Sequence, residues 1–455
     1  MHLEAGLLSR CDQLSHFFHT GSPSLVELAL RARARALGHS VPKTLPRNHI
    51  SWTQALLFDS ILRKAARRRH QSGATCAHYL RVKNGAILIS GEDVVRSGGV
   101  LPCILLGRGE GIVQSVAAPM PGLMGVKVQS IYPGPYHIFA LSADGTVYSW
   151  GDGMYGKLGH GDEEDVALPK PIAALREVRA LATHRAHSLA VTSDGALWSW
   201  GSSEYYQLGH GDDRSELLPR RLEALAGKRM CAVAAGDTHS LAACVDGGCF
   251  TWGNFFGSRL IVEPQRIRAL SGEHVSSVAA YEHSCAVTRQ GDIWLWDHWG
   301  RGFTTEPTPL QGTPLDTHRV VSVSHTLDRF FALTADGTVF SWVVAEAYAF
   351  DNVERHRHVL GHGDAVDVPA TRLAVPRVIE ALAGQHICSV VTTYDMNFAV
   401  GWTGGQAQRP QWACWSWGCD ASKDRWRALG HGEKHADTSL PRRVVEIGVT
   451  PPATD

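Results

Sequence analysis

The fold is decided by residues 187–201, which read H-S-L-A-V-T-S-D-G-A-L-W-S-W-G. The first six residues alternate and are rich in β-formers, and Ala196 to Trp200 has the composition of a return strand. Between them, Asp194-Gly195 is the strongest two-residue signal for a β-hairpin. The stretch therefore predicts two antiparallel strands. Further along the chain come L-G-H-G-D at residues 208–212 and then Pro219.

The same pattern recurs at a spacing of about fifty residues. Residues 137–151 read H-I-F-A-L-S-A-D-G-T-V-Y-S-W-G, followed by L-G-H-G-D at residues 158–162 and by Pro169. Five weaker or degenerate copies begin at His78, His239, His283, Asp328 and Asn397. Apolar runs before several copies, and Pro-x-x-Ile/Val segments after them, add two further strands to each hairpin. Seven units of four strands predict an all-β fold, a seven-bladed β-propeller.

Aromatic residues recur as pairs in the return strand of the repeat. Trp198 and Trp200 lie two residues apart, so both side chains point to one face of the strand. We predict that such pairs fill the wedges between neighbouring blades, where truncation of one Trp would cost about 3–5 kcal/mol. The predicted structural Trp residues are Trp150, Trp200, Trp252, Trp296, Trp342 and Trp417.

The L-G-H-G-D segments place a His and an acidic residue in four of the repeats. Metal ligation would require several of these side chains to converge on one ion, whereas each pair belongs to its own repeat. The flanking glycines favour a turn with positive φ, in which the acidic side chain caps nearby amides. We therefore interpret these glycines, among them Gly159, Gly161, Gly209 and Gly211, as structural, and we expect neither a metal nor a cofactor.

Composition narrows the classes of function. In 455 residues, 44 Lys and Arg balance 44 Asp and Glu, so no net charge draws the chain to nucleic acid or to an anionic membrane. The ten Cys form no C-x-x-C pair, and no apolar run is long enough to cross a membrane. The motifs G-x-S-x-G, H-E-x-x-H and the P-loop do not occur. We expect a monomeric, non-enzymatic protein of the cytoplasm, the nucleus or both.

The region before the repeats has a different pattern. Residues 1–70 predict a small helical extension, because Ser22 and Pro23 begin one amphipathic segment and Ser51 begins another. The basic run at residues 63–69 fits a nuclear-import or nucleic-acid patch, or simply cations at a helix C-terminus. The propeller is predicted to span residues 71–447, and residues 448–455 form a C-terminal tail.

The repeats differ in length. The fourth and fifth lack L-G-H-G-D, the sixth gains residues 343–359, and the seventh gains residues 401–411. Insertions on a rigid scaffold often carry binding, although both also fit tolerated surface loops. The candidate partner-binding residues are Asp351, Glu354, Arg355, His356, Arg357, His358 and Trp402.

The repeated strands, with L-G-H-G-D and a later Pro, resemble the regulator of chromosome condensation repeat over roughly residues 71–447. The resemblance implies a seven-bladed propeller that binds a protein partner as a non-catalytic scaffold or adaptor, including in ubiquitin-ligase contexts. An alternative that it implies is a guanine-nucleotide exchange factor for a Ran-like small GTPase, although no functional residue of that activity can be transferred to this sequence.

A further alternative is a UV-B photoreceptor, since the plant UV-B receptor is similar in fold and also rich in Trp. Its Gly-Trp-Arg-His-Thr signature does not occur here. The nearest match is Gly401-Trp402-Thr403-Gly404, which lacks the Arg and the His.

Overall fold

The structure is a computed structural model that describes residues 72–75, 78–83, 86–91, 114–134, 136–255, 259–281, 283–297, 306–326, 329–343, 359–363, 375–392, 396–403, 411–418 and 438–443. Within these ranges, 28 strands form seven four-stranded sheets, each an antiparallel meander. Side chains are described in six of the sheets, and the first sheet is described by its backbone. The predicted helical extension and C-terminal tail lie outside the described residues.

The strands follow one another along the chain in groups of four. The first three sheets are β1 Ser72–Thr75, β2 His78–Lys83, β3 Ala86–Gly91 and β4 Gln114–Pro119; β5 Val128–Pro133, β6 His137–Ser142, β7 Val147–Gly151 and β8 Val166–Pro171; and β9 Val178–Thr183, β10 His187–Thr192, β11 Leu197–Gly201 and β12 Glu216–Arg221.

The next two sheets are β13 Met230–Ala235, β14 His239–Cys244, β15 Cys249–Phe255 and β16 Arg259–Arg266; and β17 Val275–Ala280, β18 His283–Thr288, β19 Ile293–Asp297 and β20 Thr308–Pro309. The last two are β21 Val320–Thr326, β22 Arg329–Thr334, β23 Val339–Val343 and β24 Arg377–Val378; and β25 His386–Thr392, β26 Met396–Thr403, β27 Gln411–Gly418 and β28 Thr438–Arg443. Short 3-10 turns, such as Glu223–Leu225, connect several sheets.

The sheets close into a ring. The first strand of each sheet contacts the first strand of the next, and β25 of the last sheet contacts β1 of the first. The first strands therefore surround the centre, and the fourth strands form the outer edge. This arrangement confirms the predicted all-β propeller.

The ring has two distinct faces because each sheet is a meander. One side carries the connections between first and second strands and between third and fourth strands, and we call it the loop face. The opposite side, the hairpin face, carries the hairpins between second and third strands and the connections to the next sheet.

The predicted Asp-Gly hairpins are present and join neighbouring sheets on the hairpin face. The carbonyl of Gly195 accepts a 2.9 Å hydrogen bond from the amide of Met230, the first residue of the next sheet. Gly195 has φ +87°, and a Cβ there would lie 2.7 Å from Cα of Arg229. Glycine is required at this turn by both the dihedral angle and the close approach.

The hydrophobic core lies between the sheets. Trp200 is fully buried and packs with Phe139 and Leu141 of the preceding sheet, while Trp198 is partly buried beside it. The equivalent Trp of five other sheets is buried to 2% exposure or less, and these residues are Trp150, Trp252, Trp296, Trp342 and Trp417. The aromatic pairs thus occupy the wedges between blades.

Candidate functional site

In the second and third blades, the residue before the L-G-H-G-D segment joins two sheets. The carbonyl of Lys157 accepts hydrogen bonds from Nε1 of Trp200, at 2.9 Å, and from Oγ of Ser188, at 3.2 Å. In the next sheet, the carbonyl of Gln207 accepts from Nε1 of Trp252 and from Oγ of Ser240, both at 2.8 Å. In these two blades the segment therefore acts as a latch that fastens its loop to the following blade.

The His of the segment is bonded within its own blade. Ser199 Oγ donates to the carbonyl of Leu208 at 2.9 Å, so Nε2–H of His210 donates to that hydroxyl oxygen, also at 2.9 Å. The equivalent bond joins His362 to Ser341 at 3.0 Å. Burial lowers the pKa of His362 to about 4, with a contribution from Arg377. These imidazoles are therefore neutral at physiological pH.

The acidic residue and the glycines of the segment shape the turn. Oδ1 of Asp212 accepts from the amide of Arg214 at 3.1 Å. Gly209 and Gly211 have φ values of +76° and +87°. Among the described residues, no three His, Cys, Asp or Glu side chains are placed to hold a metal ion together. The His and Asp of the motif build the turn.

A second set of histidines bonds from blade to blade. Nε2 of His187 lies 2.8 Å from Oγ of Ser240, and Nε2 of His239 lies 2.9 Å from Oγ of Ser284. Burial, together with a smaller contribution from nearby His184, lowers the pKa of His187 to about 3. The L-G-H-G-D segments were visible in the sequence, but these long-range partners were not.

Side chains outside the repeat pattern cluster on the loop face, close to the centre of the ring. Arg185 and Asp237 occupy equivalent loops of adjacent blades, and their charged groups lie 3.5 Å apart. The Arg185 side chain is 56% exposed. Buried His184 lies edge-on to Tyr281 with ring centroids 4.4 Å apart, and burial lowers its pKa to about 3. This cluster presents one exposed cation on a polar, aromatic base.

The loop between β7 and β8 presents an apolar pair on the same face. Met154 is 52% exposed and Tyr155 is 41% exposed. Tyr155 has φ +63° and ψ +13°, in the left-handed region that non-glycine residues seldom adopt. The third blade has Glu204 and Tyr205 at these positions. Comparison of the copies residue by residue, rather than by length, would have drawn attention to this loop.

Of the predicted partner-binding residues, the structure describes the backbone of Trp402. The candidates from Asp351 to His358 lie outside the described residues, in the segment that follows the loop-face end of β23. Trp402 lies in β26, six residues after the strand begins on the loop face, and its backbone pairs with Trp412. The backbone of Trp402 is therefore at the hairpin-face end of its sheet.

Comparisons with known proteins agree with this architecture. The regulator of chromosome condensation (RCC1) repeat matches residues 144–191 and 194–243, and a second model of that repeat matches residues 128–157. The E3 ubiquitin-protein ligase HERC2 of Homo sapiens is 32% identical over 217 residues, which cover 44% of this chain and 4% of the ligase.

Two further proteins are similar over more of the chain. The ultraviolet-B receptor UVR8 of Arabidopsis thaliana is 31% identical over 337 residues, which cover 68% of this chain and 61% of the receptor. The crystal structure of Prp20p from Saccharomyces cerevisiae has a TM-score of 0.63 at 19% identity, covering 84% of this chain and 89% of that one. This chain thus covers less than two thirds of the length of either relative compared by sequence.

The ring of four-stranded sheets, latched by a Gly-His-Gly turn and a Trp of the next blade, defines a β-propeller built from repeats of about fifty residues. The chain belongs to the regulator of chromosome condensation (RCC1) repeat family. No helix among the described residues is long and apolar enough to cross a membrane.

Proposed function

We propose that this protein is a seven-bladed, non-catalytic scaffold or adaptor of the cytoplasm, the nucleus or both, and that it binds protein partners on the loop face. The observation that carries the proposal is that the repeated polar side chains are bonded inside the ring, whereas side chains that differ between copies are exposed. The repeated His and Asp form internal hydrogen bonds, as His210 does with Ser199. Arg185 and Met154, which differ from the equivalent residues of the next copy, are exposed on one face of a rigid ring.

Affinity capture with the full chain as bait tests this proposal. We expect a reproducible set of protein partners that Arg185→Glu depletes, because the substitution reverses the exposed charge and breaks the pair with Asp237. Arg268→Glu is the matched control, since Arg268 is an exposed Arg on the hairpin face. Equal depletion by both variants, with unchanged thermal stability, would contradict a loop-face site.

The polar insertion of the sixth repeat has its own test. Charge reversal at Arg355 and Arg357 is expected to weaken partner capture and to leave thermal stability nearly unchanged. Unfolding of that variant would instead assign the insertion a structural role.

Exchange of guanine nucleotides on a small GTPase is the second candidate. It is supported by the similarity to Prp20p, whose structure was described together with binding to Gsp1p and histones. Parallel captures with GDP–Mg²⁺ and with EDTA separate the two proposals, because an exchange factor holds the nucleotide-free GTPase most tightly. A small GTPase enriched only with EDTA would favour exchange, and a nucleotide-independent set of partners would favour the scaffold.

A light-sensing role is the third candidate, and it is supported by the 31% identity to UVR8. Six Trp side chains are committed to packing between blades. Sedimentation of the protein before and after UV-B illumination tests this role. A dimer that dissociates under illumination would support it, and a species that does not respond to light would exclude it.

A further inference from the structure

The loop between β7 and β8 holds its apolar pair in a fixed position. Oδ1 of Asp152 accepts from the amide of Met154 at 2.8 Å, and Oδ2 accepts from Nζ of Lys157, also at 2.8 Å. The Lys157 side chain is 3% exposed, so this ion pair forms a buried base for the loop. The amide of Gly153 donates to Oδ1 of Asp165 at 2.9 Å. The exposed side chains of Met154 and Tyr155 therefore project from a loop that is bonded at both ends.

The neighbouring backbone keeps the loop close to two other segments. A Cβ on Gly153 would lie 2.0 Å from the carbonyl oxygen of Glu164, and a Cβ on Gly156 would lie 2.5 Å from Cδ2 of Leu217 in the next blade. The turn of Met154–Gly156 also contacts β11 and β12. The apolar pair thus lies at the junction of the second and third blades, beside residues 163–165.

Exposed aromatic and Met side chains on a pre-organised loop are typical anchors of a protein interface. A fixed loop loses little conformational entropy when it binds, so its exposed area contributes more fully to affinity. The left-handed conformation of Tyr155 is unfavourable for an L-residue and is retained here with the side chain 41% exposed. We call Met154 and Tyr155 the apolar knob.

The charges around the apolar knob select its partner. Glu163, Glu164 and Asp165 are exposed directly beside it, and Glu204 is exposed at the equivalent position of the next blade. The cation of the loop, Lys157, is buried and already paired with Asp152. Exposed carboxylates around an apolar centre complement a segment in which Lys or Arg flanks a large apolar side chain.

We propose that the apolar knob binds a basic partner segment that inserts an apolar side chain beside Tyr155. This inference rests on the proposed role in protein binding and specifies one surface and one class of partner for it. A second copy of this chain, or an acidic partner, would be a different occupant, and the experiment below distinguishes both.

Fluorescence anisotropy with three labelled peptides tests the inference on the full chain. One peptide has a Leu-Phe core between Lys pairs, the second replaces Lys by Glu, and the third replaces the core by Ser-Ser. We expect the first to bind at least about tenfold more tightly than the others, and its affinity to fall with added salt. Equal binding of the acidic peptide would overturn the inference.

Variants assign the binding to the apolar knob. Tyr155→Gly removes the ring and suits the left-handed backbone, so we expect at least about a tenfold loss of peptide affinity with no loss of thermal stability. Glu163→Gln with Glu164→Gln should weaken binding and flatten its salt dependence. Met124→Ser is the matched control, because Met124 is 75% exposed on the hairpin face.

Two outcomes would overturn the inference about the apolar knob and leave the proposed scaffold function unaffected. If Tyr155→Gly leaves peptide binding unchanged, the apolar knob is not the site. If Tyr155→Gly instead converts an oligomer to a smaller species in sedimentation, the occupant is a second copy of the chain. Partner capture by the wild-type bait reports separately on the scaffold proposal, so its failure is distinguishable from failure of the apolar knob.

Discussion

Two glycines of one latch should respond very differently to alanine. Gly209 and Gly211 have φ values of +76° and +87°, so a Cβ is strained by the backbone at both positions. A Cβ on Gly209 would also lie 2.7 Å from Cδ1 of Trp252, whereas the nearest atom to a Cβ on Gly211 is the mobile carboxylate of Glu263, at 3.1 Å. Comparison of the two alanine variants separates the free-energy cost of the dihedral angle from the cost of contact with the next blade.

The expected losses follow from these contacts. A non-glycine residue in the left-handed region costs about 1–2 kcal/mol, and this cost is common to both variants. In Gly209→Ala the fully buried indole of Trp252 must also move, which adds about 1–3 kcal/mol for overpacking. Its 2.8 Å bond to the carbonyl of Gln207 contributes about 1 kcal/mol more when it breaks. Gly209→Ala should therefore destabilise the protein by about 2–4 kcal/mol more than Gly211→Ala.

Urea unfolding followed by Trp fluorescence and circular dichroism measures this difference. Gly227→Ala is the control, because Gly227 has φ +78° and no atom within 4 Å of a Cβ. It should match Gly211→Ala. Equal losses for Gly209→Ala and Gly227→Ala would refute the conclusion that the segment is an inter-blade latch.

Three other substitutions or conditions test the internal hydrogen bonds. The pKa of His187 is about 3 in the folded protein, below its unfolded value of about 6.5. The free energy of unfolding should therefore fall by about 1.4 kcal/mol per pH unit as the pH drops from 6.5 towards 3. Equal urea midpoints at pH 7 and pH 5 would contradict this expectation. Trp200→Phe loses the bond to the Lys157 carbonyl and should cost about 1–3 kcal/mol by chemical denaturation, against less than about 1 kcal/mol for Trp198→Phe. Asp152→Asn leaves Lys157 buried without its carboxylate and should lower the free energy of unfolding by about 3 kcal/mol, measured by thermal unfolding. Lys157→Gln introduces the residue found in the next repeat and should be tolerated in the same measurement.

The regular part of the fold could be predicted from the sequence because its signals are local. Asp194-Gly195 predicts the hairpin by its dihedral preference, and Trp198 and Trp200 share a face because a strand alternates every residue. The interpretation of Gly209, Gly211 and Asp212 as turn residues rested on the same kind of argument. Each of these inferences depends on neighbours within a few residues.

The remaining features depend on contacts between repeats, which a period does not specify. The partner of His187 is Ser240, 53 residues later, and nothing in the local pattern selects it. The two faces follow from the direction of each strand, so the position of Trp402 at the hairpin-face end of β26 became clear only from the sheets. Positive φ at Tyr155 contradicts the local preference of tyrosine, and therefore no local rule predicts it.

The functional information lies in the differences between copies rather than in the repeat itself. Arg185 and Asp237 occupy the same position in adjacent blades, and they pair because one copy carries a cation where the next carries an anion. Met154 stands where the next copy has Glu204, so an exposed apolar side chain takes the place of an exposed carboxylate. A substitution at a buried repeat position therefore changes the stability of the ring, whereas a substitution at an exposed position that differs among copies, such as residue 154 or 185, is expected to change what the ring binds.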